Sequence, residues 1–231
     1  MKKLALGIIG ISGKMGKTLY SIISHDPHLI FIGGVRQNNL ENTIEKSIFS
    51  LAERADVIID FSSSISLENI LKACLKYNKP IVIGTTGYTE KQKLLIKEFS
   101  KKIPIMYNSN FSIGIAICKN IIKQATIFAK NIFEIDISET HHLQKKDAPS
   151  GTALSISDNI KEIVKKEIPI NSYRIKKEVG THKVSFYNDE EEFEITHKAK
   201  KRISFAKGAI YSAKYIHNKK PSLYSFEEIF L

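Results

Sequence analysis

The first half of the chain alternates short apolar runs with longer stretches of helical periodicity. The apolar runs span residues 3–9, 29–35, 56–61, 80–84 and 104–107. Between them lie amphipathic stretches such as 67–77 and 90–102, in which apolar residues recur at intervals of three and four. Strands that alternate with helices of this length predict an α/β fold, a doubly wound parallel sheet covered by helices.

The pattern changes near residue 112. An apolar stripe predicts one long helix and contains Ile113, Ile117, Ile121, Ala125 and Phe128. Residues 132–138 then alternate apolar and polar side chains like a half-buried strand, and 152–166 return to helical spacing. Residues 184–186 and 193–195 predict a hairpin connected across 187–192. This half predicts an α+β domain whose sheet is exposed on one face.

A glycine-containing turn, GISGKMG at residues 10–16, joins the first predicted strand to the first helix. Glycine lets the backbone approach a pyrophosphate, and the N–H groups at a helix N-terminus favour its negative charge. The candidate cofactor-binding residues here are Gly10, Ile11, Ser12, Gly13, Lys14 and Met15. Because Ser12 replaces the middle glycine of the usual G-x-G-x-x-G pattern, a tight packing turn that binds nothing is the alternative.

Two polar loops follow the fourth and fifth predicted strands, at the edge where doubly wound sheets bind ligands. Their amides and hydroxyls suit the carboxamide of a nicotinamide, and Phe111 offers a ring face. The candidate residues are Gly84, Thr85 and Thr86 in the first loop and Asn108, Ser109, Asn110 and Phe111 in the second. For each loop the alternative is ordinary turn chemistry.

The densest group of reactive side chains lies in residues 139–153, ETHHLQKKDAPSGTA. The segment follows the 132–138 strand and ends at a predicted helix N-terminus, where unpaired N–H groups and nearby cations favour a carboxylate. A histidine or lysine in that setting can also supply a proton. A metal site is not expected, because no third zinc ligand lies at a familiar spacing; a phosphate-binding loop would need a lysine and glycine spacing that this segment lacks.

This segment resembles the signature of the dihydrodipicolinate reductase family, E-x-H-H-x-x-K-x-D-A-P-S-G-T. Further segments that resemble the family are GIIGISGKMG, VIIDFSS, IVIGTTGYT, NSNFSIGIAI and EITHKAKKRISFAKGAIYSA. The resemblance therefore covers nearly the whole chain. It implies NAD(P)H-dependent reduction of 4-hydroxy-tetrahydrodipicolinate to tetrahydrodipicolinate with loss of water, on the diaminopimelate route to lysine.

The resemblance also implies roles for individual residues. His141 and Lys145 occupy the positions of proton donation, and His142 contacts the substrate. The remaining substrate-binding positions are Ser150, Gly151 and Thr152, with Gly151 and Thr152 on a carboxylate. The glycine turn and the two loops after the fourth and fifth strands match cofactor-binding positions of the family.

The same resemblance implies two domains. A Rossmann-type dinucleotide-binding domain would span residues 1–112 and be completed by 207–231, and 113–206 would form an inserted substrate-binding and oligomerisation domain. Tetramers built from the sheets of such inserted domains are usual in the family, so a homotetramer is expected. The chain is shorter than many members between residues 36 and 56 and between 167 and 179, and the second gap bears on the quaternary details.

Composition and charge narrow the partners. With 42% hydrophobic and 26% charged residues, the 231-residue chain has a globular composition. Most of the formal net charge of +11 comes from lysine, and the only arginines are Arg36, Arg54, Arg174 and Arg202. Because no arginine cluster or interleaved aromatic residues point to nucleic acid, we expect small anionic metabolites as partners.

The chain is expected to be cytoplasmic and to have no membrane partner. The apolar start is short and glycine-interrupted, it lacks a cleavage pattern, and no segment approaches a membrane span. Cys74 and Cys118 lie in helical patterns, which suits buried thiols in a reducing compartment. A non-catalytic regulatory protein that senses NADPH is the alternative function, and a reductase of another dicarboxylate is a third; the intact His141, His142 and Lys145 set favours catalysis.

Arg36 predicts the choice of cofactor. In dinucleotide-binding domains an acidic residue about twenty positions beyond the glycines binds the ribose 2′-hydroxyl, whereas a cation there accommodates a 2′-phosphate. This chain has Arg36, Gln37 and Asn38 in that region and no carboxylate before Glu41. We therefore expect a preference for NADPH, or use of both cofactors, over strict use of NADH; the alternative is that Arg36 is a solvated loop residue. Comparison of the Michaelis constants for NADPH and NADH tests this, and a strong preference for NADH would contradict the prediction.

Overall fold

The structure, a computed structural model, describes residues 2–35 and 41–230, with the backbone alone for 41–47. Its first half contains, in chain order, β1 (Leu4–Ile9), α1 (Lys14–His25), β2 (Leu29–Val35), α2 (Glu41–Arg54), β3 (Val57–Asp60), α3 (Leu67–Lys76), β4 (Ile81–Ile83), α4 (Glu90–Phe99) and β5 (Pro104–Tyr107). The alternation of strands and helices predicted from the apolar runs is confirmed, with strand ends that differ by about one residue.

The second half adds α5 (Ile113–Ala129), β6 (Glu134–His141), α6 (Gly151–Val164), β7 (Ile170–Arg174), β8 (Gly180–Tyr187), β9 (Glu192–Ala199), α7 (Ile203–Ile216) and β10 (Ser222–Tyr224). A 3₁₀ turn, Glu227–Phe230, closes the described chain. The strand expected to end at Ser138 instead continues to His141, because the inward positions Glu139 and His141 are polar but still alternate. His141 is therefore held by a strand and not by a loop.

The first sheet is parallel throughout and has the order β10-β5-β4-β3-β1-β2. The order in which strands are added reverses at β1, which lies between β2 and β3. Buried aliphatic side chains from the strands and from α2, α3 and α4 form one core, including Ile58, Ile70 and Ile81. Such all-apolar strands are typical of a sheet covered on both faces, so the predicted doubly wound architecture is confirmed.

The second sheet is mixed and has the order β7-β6-β8-β9. β6 pairs antiparallel with β8 and β8 with β9, whereas β7 is parallel to β6. Side chains of α5 and α6 join those of β6 and β8 in a second core around Ile137, Ile156 and Phe186. The α+β character is confirmed, but β7 was not predicted, because three of its five residues are exposed and polar or aromatic.

Contacts divide the chain into two compact units. The first runs to Phe111 and resumes at Phe205, and the second is Ser112–Ser204. The resumed segment contributes β10, which pairs with β5 and extends the first sheet. The described cysteines, Cys74 in α3 and Cys118 in α5, are free thiols. Across residues 2–35 and 41–230, no helix combines the length and apolarity needed to cross a membrane.

Hydroxyl side chains begin three of the helices. At the start of α4 the Thr89 hydroxyl accepts the backbone N–H of Gln92, and the Gln92 side chain accepts the backbone N–H of Thr89; the two bonds form a capping box. Ser112 and Ser150 accept the N–H groups of the third residues of α5 and α6. The two serine caps lie in the second unit, where each is also bonded by a histidine of the sheet.

Helix α7 packs closely against Phe111, in the loop after β5, so that a glycine-to-alanine substitution in this helix should destabilise the protein. A Cβ on Gly208 would overlap the carbonyl oxygen of Phe111 and lie 2.9 Å from the ring of Phe226. Although glycine-to-alanine changes inside helices usually stabilise by about 1 kcal/mol, Gly208→Ala should lower the free energy of unfolding by about 1–3 kcal/mol. Denaturant unfolding measures the change, with the exposed neighbour Lys207→Ala as control; an unchanged or raised stability would contradict the packing.

Candidate active site

The glycine turn lies where the loops after β1 and β3 touch. Gly10 has φ +86°, and a Cβ there would lie 2.7 Å from the carbonyl carbon of Phe61. A Cβ on Gly16 would lie 2.6 Å from Cα of Ile11. These contacts require glycine for packing alone, yet no side chain caps α1 at Gly13. An uncapped helix start behind a close backbone turn fits a pyrophosphate.

An open cleft lies beside the turn and is lined by Ile11, Ser12, Lys17, Tyr20 and Phe31. Lys14 and Met15 open α1, with Lys14 exposed and Met15 half-buried. The sequence predicted Ile11 and Ser12 but missed the aromatic pair Tyr20 and Phe31, whose ring centroids are 4.9 Å apart. Arg36, on which the predicted NADPH preference rests, lies outside the described residues.

A buried carboxylate ties the loops after β3 and β4 together. Asp60 accepts hydrogen bonds from the Ser62 hydroxyl (2.5 Å), the Thr85 hydroxyl (2.7 Å) and the Tyr88 hydroxyl (3.5 Å). Its burial raises the pKa to about 6, against the lowering effect of these bonds. The Thr85 hydroxyl is therefore committed to Asp60, which leaves its backbone and the exposed Thr86 for a ligand.

The loop after β5 is held by the end of the chain. The Asn108 amide donates to Glu227 at 3.2 Å, and its oxygen accepts the N–H of Asn110 at 3.3 Å. Phe111 is 1% exposed and packs edge-on against Phe61 and Phe226. The expectation that Phe111 offers a ring face to the cofactor is therefore wrong, because that ring belongs to the core.

In the second unit the inward face of the sheet changes from apolar to polar. Along β6 the inward residues are Ile135 and Ile137 and then Glu139 and His141, all buried. On β8 the apolar Val184 gives way to His182, which lies opposite Glu139. The sequence predicted His141 but missed the other two polar residues, because an apolar pattern gives no signal for a buried charge.

Glu139 is the centre of this polar end. One carboxylate oxygen accepts from Nδ1 of His141, and the other accepts from Nη1 of Arg174 at 2.9 Å. Burial opposes ionisation of Glu139, but hydrogen bonds from Ser172 and Arg174 and the charge of His141 lower its pKa overall. Burial lowers the pKa of His141, while Glu139 acts in the opposite direction.

Two histidines bind the serines that cap the helices. Nε2 of His182 lies 3.1 Å from the hydroxyl of Ser150, and Nε2 of His197 lies 3.2 Å from that of Ser112. The rings of His182 and His141 are 5.1 Å apart and nearly perpendicular. Burial, reinforced by His141, lowers the pKa of His182 to about 3, so that this ring is neutral at physiological pH.

Lys145 lies in the loop between β6 and α6 and is paired with Asp147. Its ammonium is 2.9 Å from both carboxylate oxygens of that aspartate. Burial opposes ionisation of Asp147, but Lys145 and the backbone N–H of Gly151 lower its pKa overall. Nη2 of Arg174 donates to the carbonyl of Asp147 at 2.5 Å, which connects this loop to Glu139.

His142 directly follows His141, the last residue of β6. It is half-buried and lines an open cleft together with Gln144, Lys176, Lys177 and Arg202. Ser150 and Thr152 are buried at the start of α6, whereas Gly151 is partly exposed. The structure thus brings His141, Lys145 and the α6 start into one unit, with His142 on an adjoining basic cleft.

Ligand atoms of Glu139, His141 and His182 lie within 4.8 Å of one another, close enough for a metal ion. Both oxygens of Glu139 are already bonded, one to His141 and one to Arg174. A guanidinium bonded to a prospective ligand opposes a cation. The chemistry of this donor set therefore fits a hydrogen-bonded histidine better than a metal centre, although the sequence had not placed a third ligand there.

The two units together define a class of protein. A glycine turn at the carboxyl end of a parallel sheet suits a nicotinamide dinucleotide. A buried histidine, a lysine and a helix N-terminus suit a small anionic substrate that takes up a proton. These features are those of a dinucleotide-dependent oxidoreductase.

Comparison with known proteins specifies the family. Residues 4–111 match the family model for the N-terminus of dihydrodipicolinate reductase, and residues 114–230 match the model for its C-terminus. The 4-hydroxy-tetrahydrodipicolinate reductase of Thermosipho africanus is 38% identical over 226 residues, which cover 98% of this chain and 97% of that protein. The enzyme of the same name from Bdellovibrio bacteriovorus is 35% identical over 230 residues, covering 99% and 97%.

A solved structure, dipicolinate-bound dihydrodipicolinate reductase from Paenisporosarcina sp. TG-14, has the same fold, with a TM-score of 0.79 at 23% identity over 98% of this chain and 99% of that one. The chain belongs to the dihydrodipicolinate reductase family. It is an NAD(P)H-dependent oxidoreductase that reduces 4-hydroxy-tetrahydrodipicolinate to tetrahydrodipicolinate. None of these relatives favours the alternative of a non-catalytic regulator.

Asp60 predicts a pH dependence of stability. The folded chain has a pKa of about 6 at this carboxyl against an ordinary value of 3.8, so between these pH values the folded state binds more protons than the unfolded state. Relative to Asp60→Asn, native stability should therefore rise by on the order of 2–3 kcal/mol as the pH falls from about 6 to about 4. Denaturant unfolding across this range measures the difference, with the exposed Asp158→Asn as control; a constant difference would contradict the prediction.

Proposed function

We propose that His141 and Lys145 are the catalytic residues, which supply the proton of the reduction. The bound nicotinamide supplies the hydride. Once the 4-hydroxyl group has left as water, hydride addition to the unsaturated ring leaves an anionic, enamine-like centre, which requires a proton from a nearby acid. The observation that carries this proposal is the buried Glu139–His141 pair, joined through Arg174 to the loop that presents Lys145.

We propose that the substrate carboxylates bind at the start of α6 and on His142. The N–H of Gly151 and the ammonium of Lys145 already bind a carboxylate, that of Asp147, which supports an anion at this position. Ser150 fixes the first turn by accepting the N–H of Ala153, and Thr152 follows in the same turn. The bound dipicolinate of the Paenisporosarcina structure supports a dicarboxylate as the ligand.

The cofactor is assigned to the first unit. Gly10 to Met15 would bind the pyrophosphate. Two loops would hold the nicotinamide, one with Gly84, Thr85 and Thr86 and the other with Asn108, Ser109, Asn110 and Phe111. Phe111 would contribute only its backbone groups. NADPH is the preferred cofactor in this proposal, because Arg36 stands where an acidic residue would select NADH. The first unit, which runs to Phe111 and resumes at Phe205, then corresponds to the dinucleotide-binding domain that the sequence bounded at residues 1–112 and 207–231.

Residues 113–206 form the substrate-binding and oligomerisation domain in this proposal. Its sheet carries exposed aromatic side chains, including Tyr173, Tyr187 and Phe193, which suit a homotetramer. The free thiols of Cys74 and Cys118 suit a reducing cytoplasm. The reaction places the protein in diaminopimelate and lysine biosynthesis.

Removal of Lys145 tests the catalytic assignment. Oxidation of NADPH is followed with freshly generated substrate for the native chain, for Lys145→Ala and for the exposed neighbour Lys146→Ala. We expect Lys145→Ala to lose about a hundredfold or more in kcat, because general acids contribute on that scale, and Lys146→Ala to stay near the native rate. Unchanged activity of Lys145→Ala would remove the lysine from the mechanism.

A further inference from the structure

Glu139 and Arg174 support the reactive histidine from behind. Glu139 is 1% exposed and Arg174 is half-buried, and neither is among the residues proposed above to touch substrate or cofactor. Burying a carboxylate costs free energy, because the loss of its hydration offsets much of the electrostatic attraction to a cationic partner. The bonds of Glu139 therefore indicate what it does.

We propose that Glu139 is a positioning residue that holds one ring proton of His141 on Nδ1, so that the proton given to the substrate is the one on Nε2 of the cationic ring, and that Arg174 fixes Glu139 for this task. The inference rests on the proposed function of His141. In a neutral imidazole one nitrogen donates and the other accepts, so the partner of one nitrogen decides the state of the other.

The surroundings of the ring fix its orientation on three sides. Nδ1 of His141 bonds the Glu139 carboxylate. The ring of His182 lies nearly perpendicular to the ring of His141. A Cβ on Gly180 would lie 2.9 Å from Nε2 of His141. Because Gly180 has no side chain, the space beside Nε2, the nitrogen proposed to donate the proton, stays open. The ring cannot turn over without losing the bond to Glu139.

Arg174 is bound too firmly to be an incidental surface cation. β7 places it directly beside His141 in the register of β6 and β7. Its Nη1 donates to Glu139 at 2.9 Å and to the carbonyl of Tyr173 at 2.7 Å, and its Nη2 donates to the carbonyl of Asp147. One guanidinium therefore sets the relative position of the supports of His141 and Lys145.

The two supports act on the charge of His141 in opposite directions. The Glu139 carboxylate favours the protonated ring, and the Arg174 guanidinium disfavours it. Among the side chains that the structure describes, the charged and titratable groups that face the ring are Glu139 from β6, Arg174 from β7, His182 from β8, Lys145 from the loop after β6 and Glu178 from the segment before β8. Substitutions of Glu139 and Arg174 should consequently move the titration of His141 in opposite senses, which loss of packing alone would not do.

The first test uses the protein without cofactor or substrate. Nitrogen-15 NMR of the histidine rings reports the tautomer and titration, and comparison with His141→Gln assigns the signals of His141. We expect neutral His141 to carry its proton on Nδ1. We expect its pKa to fall in Glu139→Gln and to rise in Arg174→Gln. A proton on Nε2 in the native chain, or shifts of the same sign in both variants, would overturn the proposal.

The second test is kinetic. Glu139→Gln keeps the size of the side chain but removes its charge, so kcat should fall about tenfold or more, a part of what a general acid contributes. KM for the substrate should stay within about twofold, because Glu139 does not touch it, and the alkaline limit of activity should move to lower pH. Arg174→Gln should move that limit to higher pH. Unchanged kcat and an unchanged pH limit in Glu139→Gln would refute the positioning role.

Matched controls separate this inference from the assignment of catalysis. Glu134→Gln changes an exposed glutamate on the same strand, whose partner is Lys166, and should leave rate and pH profile unaltered. Thermal unfolding and NADPH binding show whether each variant is folded. If Lys145→Ala and His141→Gln keep native activity, the proposed catalytic function fails; if they lose activity while Glu139→Gln does not, only the positioning role fails.

Discussion

The second unit depends on one buried charge, the carboxylate of Glu139. An ionised group in this position is stable only if each oxygen finds a donor. His141 and Arg174 provide them, and each must come from a defined strand register. The edge strand β7, which has little apolar surface of its own, is thereby attached to the rest of the sheet. Chemistry and architecture are joined at this carboxylate.

A second buried carboxylate has a comparable task in the first unit. Asp60 gathers hydroxyl donors from the loops that follow β3 and β4, next to the backbone of the glycine turn. In both units a polar group replaces an aliphatic residue at the end of an inward-facing row. The buried aliphatic residues of each strand make the sheet rigid. The polar residue at the end of the strand then supplies the group proposed to react or the group that holds neighbouring loops. This arrangement keeps functional groups on strands, where they move less than on loops.

The hydrophobic pattern was sufficient for the fold but only partly for the site. It predicted the parallel sheet, the α+β character of the second half and most helices, because burial of aliphatic side chains decides them. It ended β6 at Ser138, since a polar inward residue resembles the end of a strand. Partners such as Arg174 and His182 are more than thirty positions from Glu139 along the chain, and only the pairing of strands brings them together. Phe111 is the converse case. The local sequence predicted that its ring lies in the cofactor site, whereas contacts with residues distant in sequence bury the ring in the core.

The pairing of Lys145 with Asp147 has a consequence for how an anion enters. In the free protein the ammonium and the N–H of Gly151 are satisfied by the chain's own carboxylate. At the proposed substrate site a carboxylate from solution would displace that of Asp147, so binding would exchange one ion pair for another and create little new charge neutralisation. Affinity for the substrate should then depend weakly on ionic strength, even in a protein with a formal net charge of +11. The loop that carries Lys145 would act as a tethered competitor, which excludes weakly bound anions and admits those that offer a second carboxylate.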